Sequence, residues 1–203
     1  TDSNHTTAPT LMHASYAKTP AINPPSVGAV ASAELGAADA GLPNFVTVYG
    51  GYGGPGFTEP PAAGYLGPRH MPLVVPDPTR ELKDFQPPVD PAVYDPRVAL
   101  LKAQEEAFLK ENPSPLGEAH RTAYAQAVGL LKSGKLKAFD LTGEPEAVRA
   151  AYGCGHGPVR HQNEPTPHPV KFAEGCILAR RLVEAGVPFV GVVLPWWDTH
   201  EDH

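Results

Sequence analysis

Long apolar runs are missing from this 203-residue chain. No stretch approaches the roughly 18 consecutive apolar residues of a membrane-spanning helix, and no charged-then-apolar leader opens it at Thr1. Basic runs are missing too. Lys and Arg number 16 against 22 Asp and Glu, a formal net charge of -6, so nothing here neutralises a phosphate backbone or an anionic lipid surface. Nucleic acid and a membrane surface are therefore not expected as partners, and no membrane span is expected in this chain. Cysteine is scarce: Cys154 and Cys176 are the only two, and they read as free thiols, since a disulfide would require an oxidising compartment. No nucleophile elbow is present, and no Ser-His-Asp set can be composed from spacing alone.

Proline and glycine are plentiful, at 25 and 20, and 41% of the chain is apolar, enough for one core and hence one domain. From 55 to 96 the prolines recur so closely that long regular elements are not expected. Each removes a donor and biases the residue before it toward extended backbone. This stretch reads as a connection running over the surface, anchored by Phe57, Tyr65, Leu66 and the strand-like MPLVV. Ahead of it, Ser26 is a candidate cap for a helix through Leu35 with Gly36 as its stop, followed by a β-rich strand at 45–49. A helix leading into a strand is the step of a parallel α/β fold.

Behind the proline-rich stretch, helices are expected over 98–110, 118–132 and about 144–152. The first carries Val98, Leu101, Glu105, Phe108 and Leu109 on one stripe; the second turns Ala123, Ala127, Leu130 and Leu131 inward; Thr142 is a candidate cap for the third. Three helices in series without a strand read as an inserted helical segment over 98–153. The following 154–170 is rich in His and Pro. Cys154, His156, His161 and His168 are of types that bind zinc, but their spacing matches no standard finger, so a solvated loop is expected. GGYGGPGF at 50–57 lacks the lysine and the helix that a phosphate loop needs, and reads as a glycine turn.

The stretch KFAEGCILARRLVEAGVPFVGVVLPWWDTHEDH at 171–203 organises the rest. Phe172, Cys176, Ala179, Leu182 and Val183 recur at helical spacing over 172–185, which predicts a helix with that face inward. Gly186 suits a left-handed C-cap, and 187–194 is apolar almost throughout, the pattern of a strand covered on both faces. Ligands in open α/β sheets gather beyond the carboxyl ends of strands, where Asp198 and His200 fall. A carboxylate and an imidazole one residue apart suit zinc, manganese or iron; ordinary exposed turn residues also fit. Glu201, Asp202 and His203 are further possible ligands.

The run CILARRLVEAGVPFVGVV followed by WDTH resembles the signature of a large family of bacterial, mostly exported proteins grouped with the alkaline phosphatase and sulfatase-like superfamily. SNHTTAPTLMHASY, PSVGAVASAELG, LPNFVTV, GYLGPRHMPLVV and AFDLTGEPEAVRAAYG agree in order, so the likeness covers nearly the whole chain. It implies a partial alkaline phosphatase-like α/β/α sandwich with a mostly parallel sheet. It further implies a single incomplete domain over 1–203, with an export signal upstream and further acidic and histidine motifs downstream. The implied location is periplasmic or otherwise extracytoplasmic.

By the same resemblance, Asp198 and His200 would hold a divalent metal ion, zinc or manganese, for hydrolysis of a phosphate or sulfate ester, either a small molecule or a polysaccharide. Asn4, His5 and Trp197 would contact the substrate, with the nucleophile lying elsewhere. Trp196 stands where relatives usually carry a small residue, and the 154–170 link is longer than theirs. The competing expectation is a non-catalytic exported protein that keeps the fold to bind surface polysaccharide or a partner subunit.

Overall fold

Short caps and glycines decide where the elements begin and end. The structure is a computed structural model and describes residues 8–16, 19, 21–37, 41–49, 63–80, 89–155, 159–161, 164–166 and 168–194. Helix α1 covers Ala8–Ala14 and α2 covers Val27–Leu35. Ser26 caps α2, its Oγ accepting from the Ala29 amide at 3.3 Å. Gly36 follows in extended backbone, so α2 does not end in a left-handed cap. Its glycine is needed for a different reason: a Cβ there would sit 2.3 Å from Asn44 Nδ2.

Strand β1, Phe45–Tyr49, has the expected bounds and is buried at every position. It pairs in parallel with β2, Leu73–Val75, on one side and with β5, Phe189–Val193, on the other. The sheet order is therefore β2-β1-β5. The chain is α/β with a three-strand parallel sheet. The 63–80 stretch is more than a surface connection: it supplies β2, and Ala63 and Val75 are buried. Two 3-10 turns, Gly64–Leu66 and Pro68–His70, lead into β2.

Helix α3 covers Pro91–Glu111, starting inside the stretch read as a connection. Pro91 stands at the first helical position, where its missing N–H costs nothing, and Asp90 accepts from the Ala92 amide at 2.8 Å. Pro96 is carried inside the helix. Helix α4, Pro115–Lys132, begins after Ser114, whose Oγ accepts from the Gly117 amide at 3.4 Å. The expected inward faces are only partly buried. Leu109 and Leu130 are in the core, whereas Phe108, Ala123 and Ala127 are exposed, because α3 and α4 lean on each other with their far sides uncovered. A 3-10 turn, Leu136–Phe139, precedes α5, Glu146–Ala151. Pro145 rather than Thr142 stands at the α5 N-cap; Thr142 instead donates to Asp140 Oδ1 through its amide and its hydroxyl, at 2.9 and 2.7 Å.

Within 154–170, read as a loop, Val159–His161 (β3) and Glu164–Thr166 (β4) pair antiparallel as a small hairpin. Helix α6, His168–Glu184, then crosses the sheet. Its buried residues are Ala173, Gly175, Ile177, Leu178 and Leu182. Of the expected stripe Phe172, Cys176, Ala179, Leu182 and Val183, Leu182 is fully buried, Phe172, Cys176 and Ala179 are half-buried, and Val183 is 56% exposed. Gly186, at φ +101°, closes α6. The Val187 amide donates to Leu182 O at 2.9 Å and the Gly186 amide to Val183 O at 3.0 Å. These paired bonds are the Schellman arrangement, with Val187 folding back onto Leu182 in the core.

Alternation along the strands sorts the layers. Val46 and Val48 join Ile177, Leu178 and Leu182 in one core, and a Cβ on Gly175 would meet Val192 and Val48 methyls at 3.2 and 3.3 Å. Phe45 points the other way, to α2, where a Cβ on Gly28 would lie 2.4 Å from its ring. The sheet is thus covered by α6 on one face and by α2 on the other. Gly28→Ala is expected to cost about 2 kcal/mol of unfolding free energy through overpacking, measured by urea denaturation, with Phe45→Leu restoring most of it. An unaltered midpoint in Gly28→Ala would show that α2 does not rest on β1.

Candidate functional site

The three parallel strands end together at Tyr49, Val75 and Val193, and that carboxyl rim is the candidate site. Asp77 stands two residues past β2. Its Oδ1 accepts from the Thr79 amide at 3.0 Å and the Thr79 hydroxyl at 2.6 Å, while Oδ2 takes Lys171 Nζ from α6 at 2.6 Å. Arg80 Nε lies 3.3 Å from the same oxygen. Burial would raise the Asp77 carboxyl, but the Lys171 ammonium and the Thr79 bonds outweigh it and hold the group below its ordinary value. Asp77 is a clasp between the loop after β2 and the N-terminal part of α6.

A second ionic group lies on α6 nearer its C-terminal end. Glu144, its side chain 4% exposed, accepts from Arg181 Nη1 at 2.6 Å and Arg180 Nη2 at 2.7 Å. Arg181 also donates to Lys137 O at 2.8 Å and Ala138 O at 3.2 Å. The bonds from Arg181 and then Arg180 hold the Glu144 carboxyl low. Arg149 of α5 donates to Glu174 Oε1 at 2.8 Å and to Leu141 O at 2.6 Å. The carboxylates of this group are taken up by the arginines, which fits a structural role, while Arg180 Nε is buried without a hydrogen bond among the described residues and lies 3.5 Å from Glu184 Oε1.

The residues singled out from the sequence, Asn4, His5, Trp197, Asp198 and His200, lie outside the described residues, as does the glycine turn at 50–57. What is described is the approach to them: β5 ends at Val193, and Leu194 leads into 195–203. Among the described residues, no group of three or more His, Cys, Asp or Glu side chains is close enough to hold a metal ion. Cys154 and Cys176 are free thiols, each only partly exposed. Burial pushes both thiols up, the nearby Glu174 adding to the effect at Cys154, so neither is an activated nucleophile.

The chain matches, over residues 1–203, the model of the family described as "Protein of unknown function (DUF1501)". It belongs to that family. No curated protein and no solved structure matches it. Among the described residues of this family member, no helix is long and apolar enough to cross a membrane.

Sequence reasoning missed the Asp77 clasp and the Glu144 pair. The signal for the first is present, since Asp-Pro-Thr directly after a strand is a turn in which the Asp side chain caps the backbone two residues on. Glu144 pairs with arginines far along the chain and leaves no local pattern. Two histidines were also passed over. His70 Nδ1 lies 3.1 Å from Ser32 Oγ on α2, and burial, then Arg69, lowers its affinity for a proton. His13 of α1 is lowered by burial.

Two predictions follow from these groups. Glu144→Gln strips the charge from a buried acceptor shared by two arginines and is expected to cost about 2 kcal/mol; an unchanged denaturation midpoint would remove it from the stabilising set. For His70 the folded pKa lies below the unfolded 6.5, so the unfolded state binds the proton first. Its contribution is present above that value and is lost as pH falls through it. The stability gap between wild type and His70→Gln, followed by urea midpoint, should therefore shrink from pH 7.5 toward about pH 5, and a gap that widens on acidification would reverse the sign.

Proposed function

We propose that this chain takes part in metal-assisted hydrolysis or transfer of a phosphate or sulfate ester within an alkaline phosphatase-like α/β/α sandwich. In this reading Asp198 and His200 ligate a divalent ion, zinc or manganese, and Asn4, His5 and Trp197 contact the substrate. One observation supports it: Asp198 and His200 come within a few residues of Val193, the last residue of β5, in the sequence, and β5 pairs in parallel with β1 in a sheet with helices on both faces, the setting in which ligands gather at the carboxyl ends of strands. The donor set, a hard carboxylate with an imidazole, is of the kind zinc and manganese take. When bound, such an ion polarises a phosphoryl or sulfuryl oxygen and lowers the pKa of a bound water. Arg80, at the same rim and with its side chain 82% exposed, offers positive charge to an anionic ester. The likeness of the WDTH and LARRLVEAGV motifs to exported relatives supports an extracytoplasmic location.

A second reading, a non-catalytic exported protein that binds surface polysaccharide or a partner subunit, draws on a different observation. The α3–α4 pair leaves Leu100, Phe108 and Leu116 exposed at 60, 61 and 83%, more apolar surface than a solvated hairpin requires. Elemental analysis of the dialysed chain separates the two. The hydrolase reading expects a near-stoichiometric transition metal that Asp198→Asn loses while keeping the wild-type unfolding midpoint. Wild-type protein without metal, or a variant that retains it, contradicts that ligand assignment.

A further inference from the structure

Strand β5 carries a glycine opposite a threonine at the centre of the sheet. Gly191 pairs with Thr47, and a Cβ built on Gly191 would meet only Thr47 Oγ1, at 4.0 Å. A β-branched residue is the ordinary choice for such a position, and glycine weakens a strand. Its consequence is a cavity of about 80 Å³ on the α2 face, lined by His13, Gly28, Phe45, Thr47, Phe189 and the Gly191–Val193 end of β5. Thr47 is 1% exposed and its hydroxyl has no hydrogen-bond partner among the described residues. A buried hydroxyl left unpaired costs free energy that a partner in the cavity would recover.

We propose that this cavity is a binding site for a small neutral molecule carrying one hydrogen-bonding oxygen, of the size of a short-chain alcohol, with Thr47 Oγ1 as its polar contact. Size sets the upper bound: the space is several times the roughly 10–15 Å³ that one water requires, yet far below the hundreds of Å³ of a cofactor pocket. Charge sets the class. The walls are the edge-to-face rings of Phe45 and Phe189, with centroids 5.4 Å apart, and Val193. An ion would be buried among them without a counter-ion, since among the described residues His13 is the one titratable lining group and burial disfavours its protonation. A hydrocarbon would leave Thr47 unpaired, and a cluster of waters would face phenyl rings that cannot bond to it. The site is independent of the metal reading, as it is built wholly from described residues of α1, α2, β1 and β5.

The test is a titration of the 203-residue chain, methyl-labelled at Thr and Val, with 2-propanol, followed by NMR. Wild type is expected to give saturable shifts centred on Thr47 and Val193, with Val192, whose methyls face Gly175 on α6, shifting less. Thr47→Val keeps the shape and removes the hydroxyl; it should weaken 2-propanol by roughly fivefold, the factor one ordinary hydrogen bond supplies, and raise the thermal midpoint of the unliganded protein. Gly191→Ala fills the space and should abolish the saturable shift without lowering that midpoint. The proposal is overturned if wild type gives no saturable shift, if the shifts centre on other methyls, or if Thr47→Val binds 2-propanol as wild type does. Thr47→Val decides the matter by itself should Gly191→Ala not fold.

Discussion

Everything described in this chain hangs on the burial of one helix face against one strand. Ile177, Leu178 and Leu182 of α6 meet Val46 and Val48 of β1, all within 1% of full burial. Each such aliphatic side chain removed from water contributes on the order of 1.5–3 kcal/mol. The contact requires α6 to approach closely, which Gly175 permits, and then to reverse, which Gly186 permits through its positive φ. With Val187 folded back on Leu182, the chain can only leave as a strand parallel to β1. The parallel pairing of β5 with β1 is thus tied to a helix-end motif and a packed face.

The polar groups on α6 then fix its neighbours. Lys171 takes the loop after β2, Glu174 takes Arg149 of α5, and Arg180 and Arg181 share Glu144. None of these links is an exposed pair of negligible worth, because every side chain in them is two-thirds or more buried. A three-strand sheet in the described residues has little apolar area to spare, and these pairs attach the helical stretch that the sheet alone would not hold. The carboxyl rim keeps its shape for the same reason: Asp77 is bound on both oxygens and is no free ligand.

Much of this was legible in the sequence where the signal is local. Ser26 as a cap, the bounds of β1, the left-handed Gly186 and the parallel α/β class all follow from residue chemistry within a turn or two of the chain. The misreadings share a cause. Pro91 and Pro96 were taken as breakers, although Asp90-Pro91 is a helix start. The α6 face was drawn through Phe172, Cys176, Ala179, Leu182 and Val183; Leu182 is buried as expected, but apolar residues also stand at Ala173, Ile177 and Leu178, and packing on the sheet selects those over Phe172, Cys176 and Val183. The three-residue β2, the Glu144 pairs and the cavity over Gly191 depend on contacts across long stretches of chain, which periodicity does not encode. Of the candidate site, the sequence locates Asp198 and His200 after a strand; their geometry lies outside the described residues.

Paramagnetic broadening tests most directly the proposed divalent ion on Asp198 and His200, the segment that follows β5. Titrated with Mn²⁺, the amide signals of Tyr49, Val193 and Leu194 should broaden first, those of Phe45 and Phe189 at the opposite end of the same strands should persist, and zinc should reverse the effect. Broadening that begins elsewhere, or none at any site, would contradict the account.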